Sequence, residues 1–264
     1  YAYPLWMNPA LTGATDIDYK ATLIHRNQNF GNANTFSTSG LSAEVSTNQN
    51  INIGFNILNQ RATSGGYGYL NGALSLAYTG VKLGFNEDYH ITFGLNVGFL
   101  NRRFDSSTFQ LGDQYQEGTG FSPLLPSADN FNNKASTALD AGAGIAFFDT
   151  NPMKTVNLYA AFSINHLTQP VDPFVDSEGK MKLPMRYLFN LGASIRLENN
   201  VSLIPHVLYA RQGSAQERMA GVYVSIPYGE SAALLAGANL RLKDAIVPYA
   251  GVTLDNFTLG LSYD

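Results

Sequence analysis

The chain contains no cysteine, one tryptophan and few charges. Without thiols there is neither a disulfide nor a thiolate metal site. Charged residues are 14% of the 264, against about 25% in a soluble domain, so an ordinary ion-rich surface is missing. The net charge of −4 excludes the basic footprint of a nucleic-acid binder. No apolar run reaches the ~18 residues of a transmembrane helix; the longest, 232–238, is broken by Gly237. The opening Tyr1-Ala2-Tyr3-Pro4 lacks the basic start of a signal peptide, which for an exported protein places residue 1 downstream of a leader.

In place of charge the sequence carries Asn, Gln, Ser, Thr and Gly, with 12% aromatics. Apolar and polar residues alternate. Ile51, Ile53, Phe55 and Ile57 oppose Asn52, Gly54 and Asn56; Ile91, Phe93, Leu95, Val97 and Phe99 oppose Thr92, Gly94, Asn96 and Gly98. Period two is a strand with two unlike faces. It predicts strands at 17–28, 36–47, 51–62, 67–83, 89–104, 135–149, 155–169, 185–198, 201–212, 217–228, 231–243, 246–254 and 257–263. An apolar outer face over a polar interior, with Tyr and Phe for the interface girdles, is the pattern of a transmembrane antiparallel β-barrel.

The connections alternate as well. Tight turns fall at 48–50, 87–88, 199–200, 228–230 and 255–256, rich in Asn, Asp and Gly. Longer links fall between them, at 29–35, 63–66, 105–134, 170–184 and 213–216. An up-and-down barrel with short periplasmic turns and longer outer loops has this asymmetry, and it puts the N-terminus on the periplasmic side. Thirteen strands is an odd count, whereas bacterial single-chain barrels have even counts. The expectation is a fourteen-stranded all-β barrel over 17–264 whose last strand lies beyond residue 264, preceded by a periplasmic segment, 1–16, acting as a plug or docking tag.

Placing the apolar faces outward puts Asp18, Lys20, Arg26, Glu44, Asp140, Arg196 and Arg241 in the lumen. Four positive and three negative charges suit bracing ion pairs or a protein-filled lumen better than a selective pore. His25, His90, His166 and His206 have no metal-ligand spacing and read as interfacial or structural. No phosphate loop, dinucleotide fingerprint or nucleophile elbow is present, so neither catalysis nor a cofactor is expected. The link 105–134 carries Phe109, Tyr115, Phe121, Leu124, Leu125 and Phe131; with Phe174 of 170–184 these could plug the barrel mouth or dock a partner.

Asn8-Pro9-Ala10-Leu11-Thr12-Gly13, close behind Trp6, is followed by Arg26-Asn27-Gln28 at the end of strand one. An Asn-Pro-Ala-x-x-Gly segment and an Arg-x-Gln step in these positions resemble the PorP/SprF family of type IX secretion proteins. Where the family usually has an aromatic after that glutamine, this chain has Asn29, with Phe30 one place later. The resemblance implies a non-enzymatic outer-membrane barrel of a Gram-negative secretion and gliding-motility machinery. It would help export a large surface protein, such as an adhesin, and anchor it through its C-terminal signal domain. Periplasmic lipoproteins and peptidoglycan-binding proteins of the motor would be further partners. Trp6, Asn8, Pro9, Ala10, Gly13, Arg26 and Gln28 become candidate periplasmic contacts. Two alternatives stay open. One is a transporter similar to the long-chain fatty-acid channels, whose Asn-Pro-Ala motif sits in a much longer hatch; the other is a general porin.

Overall fold

A computed structural model of the chain describes residues 3–15, 17–28, 36–47, 49–62, 66–103, 112–122, 124–125, 135–171, 182–229 and 231–263. The sheet strands are β1 (Tyr19–Gln28), β2 (Phe36–Val45), β3 (Ile51–Ala62), β4 (Gly68–Leu83), β5 (Tyr89–Arg103), β8 (Ala135–Asp149), β9 (Val156–Asn165), β10 (Arg186–Arg196), β11 (Ser202–Gln212), β12 (Ala215–Tyr228), β13 (Ala232–Arg241), β14 (Ala245–Leu254) and β15 (Phe257–Ser262). They form one 13-stranded antiparallel sheet in chain order. β6 (Tyr115–Gln116) and β7 (Gly120–Phe121) make a separate hairpin inside the long link. The two edges of the sheet are β1 and β15.

The sheet is inside out relative to a soluble protein. Leu23, Leu74, Leu95, Leu139, Ile246, Leu259 and Leu261 are exposed, whereas Ser42, Asn52, Asn56, Ser75, Thr92, Ser163 and Asn190 are buried. Water would penalise so much outward apolar surface; lipid does not, and a polar interior suits a membrane-spanning sheet. No described helix is long and apolar enough to cross a membrane.

One end of the sheet carries tight turns and the other carries the links. At the turn end, Asn151 Nδ2 donates to Asp88 Oδ2 at 2.8 Å and Lys154 Nζ donates to Asp149 Oδ2 at 2.6 Å and Tyr89 Oη at 3.0 Å. Those bonds, the carboxylate's first, hold the Lys154 ammonium up to about 12. Thr79 and Gly80 form a bulge in β4, where the register with β5 jumps between Tyr78 and Val81. The link expected at 213–216 is not long. Gln212 pairs directly with Ala215, leaving a two-residue turn with Gly213 at φ +58. Ala215 and Gln216 are simply the extended start of β12, so the contrast in connection length fades toward the C-terminal strands.

Candidate functional site

The most buried part of the molecule is outside the sheet strands. Residues 3–13 enter the space inside the sheet, and Leu5, Asn8, Ala10 and Thr12 are among its least exposed residues. The Asn8-Pro9 step and Gly13 favour a bent, non-helical path; the segment instead forms one α-turn, Pro4–Met7, and one 3-10 turn, Pro9–Leu11, with Asn8 extended between them. A proline opens each turn, where its fixed φ favours helix and its missing N–H costs nothing. The Asn8 carboxamide caps the second turn, Oδ1 accepting from Ala10 N at 2.9 Å.

The sheet wraps around this segment and satisfies its backbone. Thr92 Oγ1 on β5 donates to Ala10 O at 2.8 Å, and Ser163 Oγ on β9 donates to Met7 O at 2.6 Å. Asn52 Nδ2 on β3 donates to Gly13 O at 3.2 Å. Gly13 N donates to Glu44 Oε2 on β2 at 2.6 Å, and Glu44 also pairs with Lys20 of β1 at 3.3 Å. Thr12 Oγ1 donates to Pro9 O at 2.8 Å, so its 2.8 Å contact with Ser75 Oγ on β4 is a bond donated by the serine. Two side chains of the segment donate the other way, into strand carbonyls. Asn8 Nδ2 donates to Ile145 O and Phe162 O at 3.3 and 3.2 Å, and Tyr3 shares its single O–H between Leu41 O and Ile57 O, at 2.5 and 2.8 Å. Met7 packs against Leu188 and Leu208, and Ala10 against Ala146 and Ala161.

Two strand glycines make room for the backbone. A Cβ on Gly94 would overlap the Pro9–Ala10 peptide, and one on Gly144 would overlap the Asn8 carboxamide. Gly13 has φ +64 and lies against the Asn52 side chain, a place for which only glycine is suited.

On the loop side of Trp6 lies a polar cavity of about 20 Å³, lined by Asn56, Tyr69, Asp140, His166 and Arg186 among others. The Arg186 guanidinium sits 3.8 Å from the Trp6 ring centroid, and its Nη2 donates to Trp6 O at 3.2 Å. His166 Nδ1 is 2.8 Å from Asp140 Oδ2.

Trp6, Asn8, Pro9, Ala10 and Gly13 thus come together inside the sheet. Arg26 and Gln28 do not join them: β1 carries both to the loop end, about 20 and 26 Å along the strand from Lys20 at the Gly13 end of the segment. Of the seven expected lumen charges, Glu44 and Asp140 are buried. Lys20 is half-buried on Glu44, and Arg241 bonds Asp244 at 2.8 Å. Asp18, Arg26 and Arg196 are exposed near the strand ends, and Arg196 Nη1 donates to Pro152 O at 2.7 Å. In the long link Tyr115 and Leu124 are exposed, while Phe121 and Leu125 are half-buried; Phe109, Phe131 and Phe174 lie outside the described residues. The ends of the second link fold inward, with Pro170 and Leu183 buried beside Leu100. Arg186 was not anticipated, although it shares the strand parity of Arg196 on β10.

A family model for the type IX secretion system membrane protein PorP/SprF matches residues 1–264, the whole chain. The chain belongs to the PorP/SprF family. No curated protein matches it. This PorP/SprF protein is therefore a membrane component of a type IX secretion system, built as one large antiparallel sheet around its own N-terminal segment.

Proposed function

We propose that the sheet closes through a further strand between β15 and β1 into a fourteen-stranded outer-membrane barrel. Its two unpaired edges and the cost of open backbone groups in lipid support this. In that setting the protein anchors an exported surface protein, through its C-terminal signal domain, at the long loops 105–134 and 170–184. The turn end and the N-terminal segment face the periplasm, where motor lipoproteins or peptidoglycan-binding proteins meet it.

The observation that carries this reading is the filled interior. Residues 3–13 bond to strands from β2 to β10. A barrel of this size has little room beyond its own side chains, and an occupied one suits holding a partner rather than passing a folded chain. Deleting 105–134 is expected to leave a folded barrel, judged by heat-modifiable gel mobility, and to abolish co-purification of the surface protein from native membranes. Undiminished co-purification would remove the loop from the proposal.

A further inference from the structure

Arg186 is the feature of the interior that the anchoring role leaves unused. It is packed between Trp6 and the cavity, and among the described residues it makes no ion pair. Its Nη2 is spent on Trp6 O, but its buried Nε has no hydrogen-bond partner. Across the same cavity Asn56, buried to 1% exposure, leaves both amide atoms unpartnered. Buried polar groups are nearly always satisfied, and buried charges are nearly always paired. The nearby Asp140 is already engaged, by His166 and by Ala141 N at 3.0 Å.

The geometry points to a carboxylate-binding site between Arg186 and Asn56, reached from the loop end and seated directly on the N-terminal segment. Asp140 lines the same cavity but spends its oxygens on His166 and Ala141 N; the donors left over are Arg186 Nε and Asn56 Nδ2, beside the acceptor Asn56 Oδ1, and two converging N–H donors suit a carboxylate and not a metal cation. A cavity of about 20 Å³ holds roughly one or two water-sized groups, at ~10–15 Å³ each, which is the scale of the two oxygens of a carboxylate. The carboxylate belongs either to a free small anion or to an acidic side chain of a chain entering the mouth. Because the guanidinium lies over Trp6, occupancy of the site reads out on the segment. The inference rests on this cavity and stands or falls separately from the secretion role.

Trp6 is the only tryptophan of the chain, so its emission reports the site without labelling. Sodium acetate added to the detergent-solubilised full chain is expected to give a saturable change in emission, and its neutral isostere acetamide none. Arg186→Gln should weaken the acetate response at least tenfold, as should Asn56→Leu, whereas Arg211→Gln, exposed and outside the cavity, should leave it unchanged. Arg186→Lys keeps the charge and should retain part of the response, which separates loss of the site from loss of the fold. Acetyl-Gly-Asp-Gly-amide distinguishes the sources: saturation by this peptide at lower concentration than acetate assigns the carboxylate to a chain, and saturation by acetate alone assigns it to a free anion. An equal response to acetamide, a response surviving Arg186→Gln, or no response to either carboxylate overturns the site.

Discussion

Two walls of the same sheet are built from similar residues and end in opposite states. The wall from β2 to β10 faces the N-terminal segment, and its Ser42, Asn52, Ser75, Thr92, Ser163 and Asn190 are buried. The wall from β12 to β15 meets the segment at the Met7 cluster through Met219, and among its described residues only Asn239 is buried. Glycine serves both, differently. Gly94 and Gly144 make room for the segment, whereas Gly251 and Gly260 lie under the ring of Tyr249. On the second wall aromatic rings fill what the segment fills on the first: Tyr223 stacks at 4.7 Å on His206 of the adjoining β11 and meets Tyr249 edge-on at 5.1 Å. Burial in this protein is thus decided by what lies above a strand, and only secondarily by the strand's own composition.

The sharpest way to break that contrast is steric. Gly94→Val must displace either the Pro9–Ala10 peptide or β5 itself, since the obstacle is backbone. The expected cost is at the upper end of the roughly 1–3 kcal/mol typical of overpacking, or above it, with Trp6 emission shifted to the red as the segment leaves. Gly260→Ala meets only the movable end of Tyr249 and should cost less than about 1 kcal/mol. Urea unfolding of both variants checks the pair, and equal losses would make the two walls equivalent.

A polar substitution probes the same difference more gently. Asn8→Ala removes a cap and two bonds into strand carbonyls, stranding the buried Ala10 N–H, so about 2–3 kcal/mol should be lost. Asn239→Ala also removes two side-chain bonds, from His206 Nε2 and to Tyr223 Oη at 2.7 Å each. Asn239 is buried too, but its removal strands no backbone N–H, and about 1 kcal/mol is expected. A larger loss for Asn239→Ala in the same unfolding assay would mean that the aromatic wall is the better-sealed one.

The alternation of apolar and polar residues made the outer face legible, because period two survives whatever the interior contains. It located all the strands of the main sheet, and the Asn8–Gly13 motif marked the segment. The partners of that motif were not legible. Ser75, Thr92 and Ser163 look like any small inward residue, and Gly94 and Gly144 like any strand glycine. What singles them out is a segment some 60 to 155 residues away in sequence. Arg186 was hidden for a related reason: its inward parity could be read, but its seat on Trp6 depends on how far the segment climbs. The short β11–β12 turn was missed because Ser214-Ala215-Gln216 carries no strong strand signal, and pairing across from Gln212 settles it.

The smallest effect tests how firmly the far end of the segment is held. Burial pushes the Tyr3 phenol up to about 12, against about 10 when unfolded. The proton it keeps is the one shared between Leu41 O and Ile57 O, and a phenolate has nothing to donate. A folded pKa above the unfolded one means that the contribution is complete below pH 10 and is lost as pH rises from 10 toward 12. At pH 11 about 1 kcal/mol should be gone. Other tyrosines titrate in the same range, so the informative quantity is the difference between proteins. The fall in stability from pH 8 to pH 11 should be smaller in Tyr3→Phe than in the parent chain by about that amount. Identical falls would mean that the Tyr3 end is loose, and that the segment is held from Trp6 to Gly13 alone.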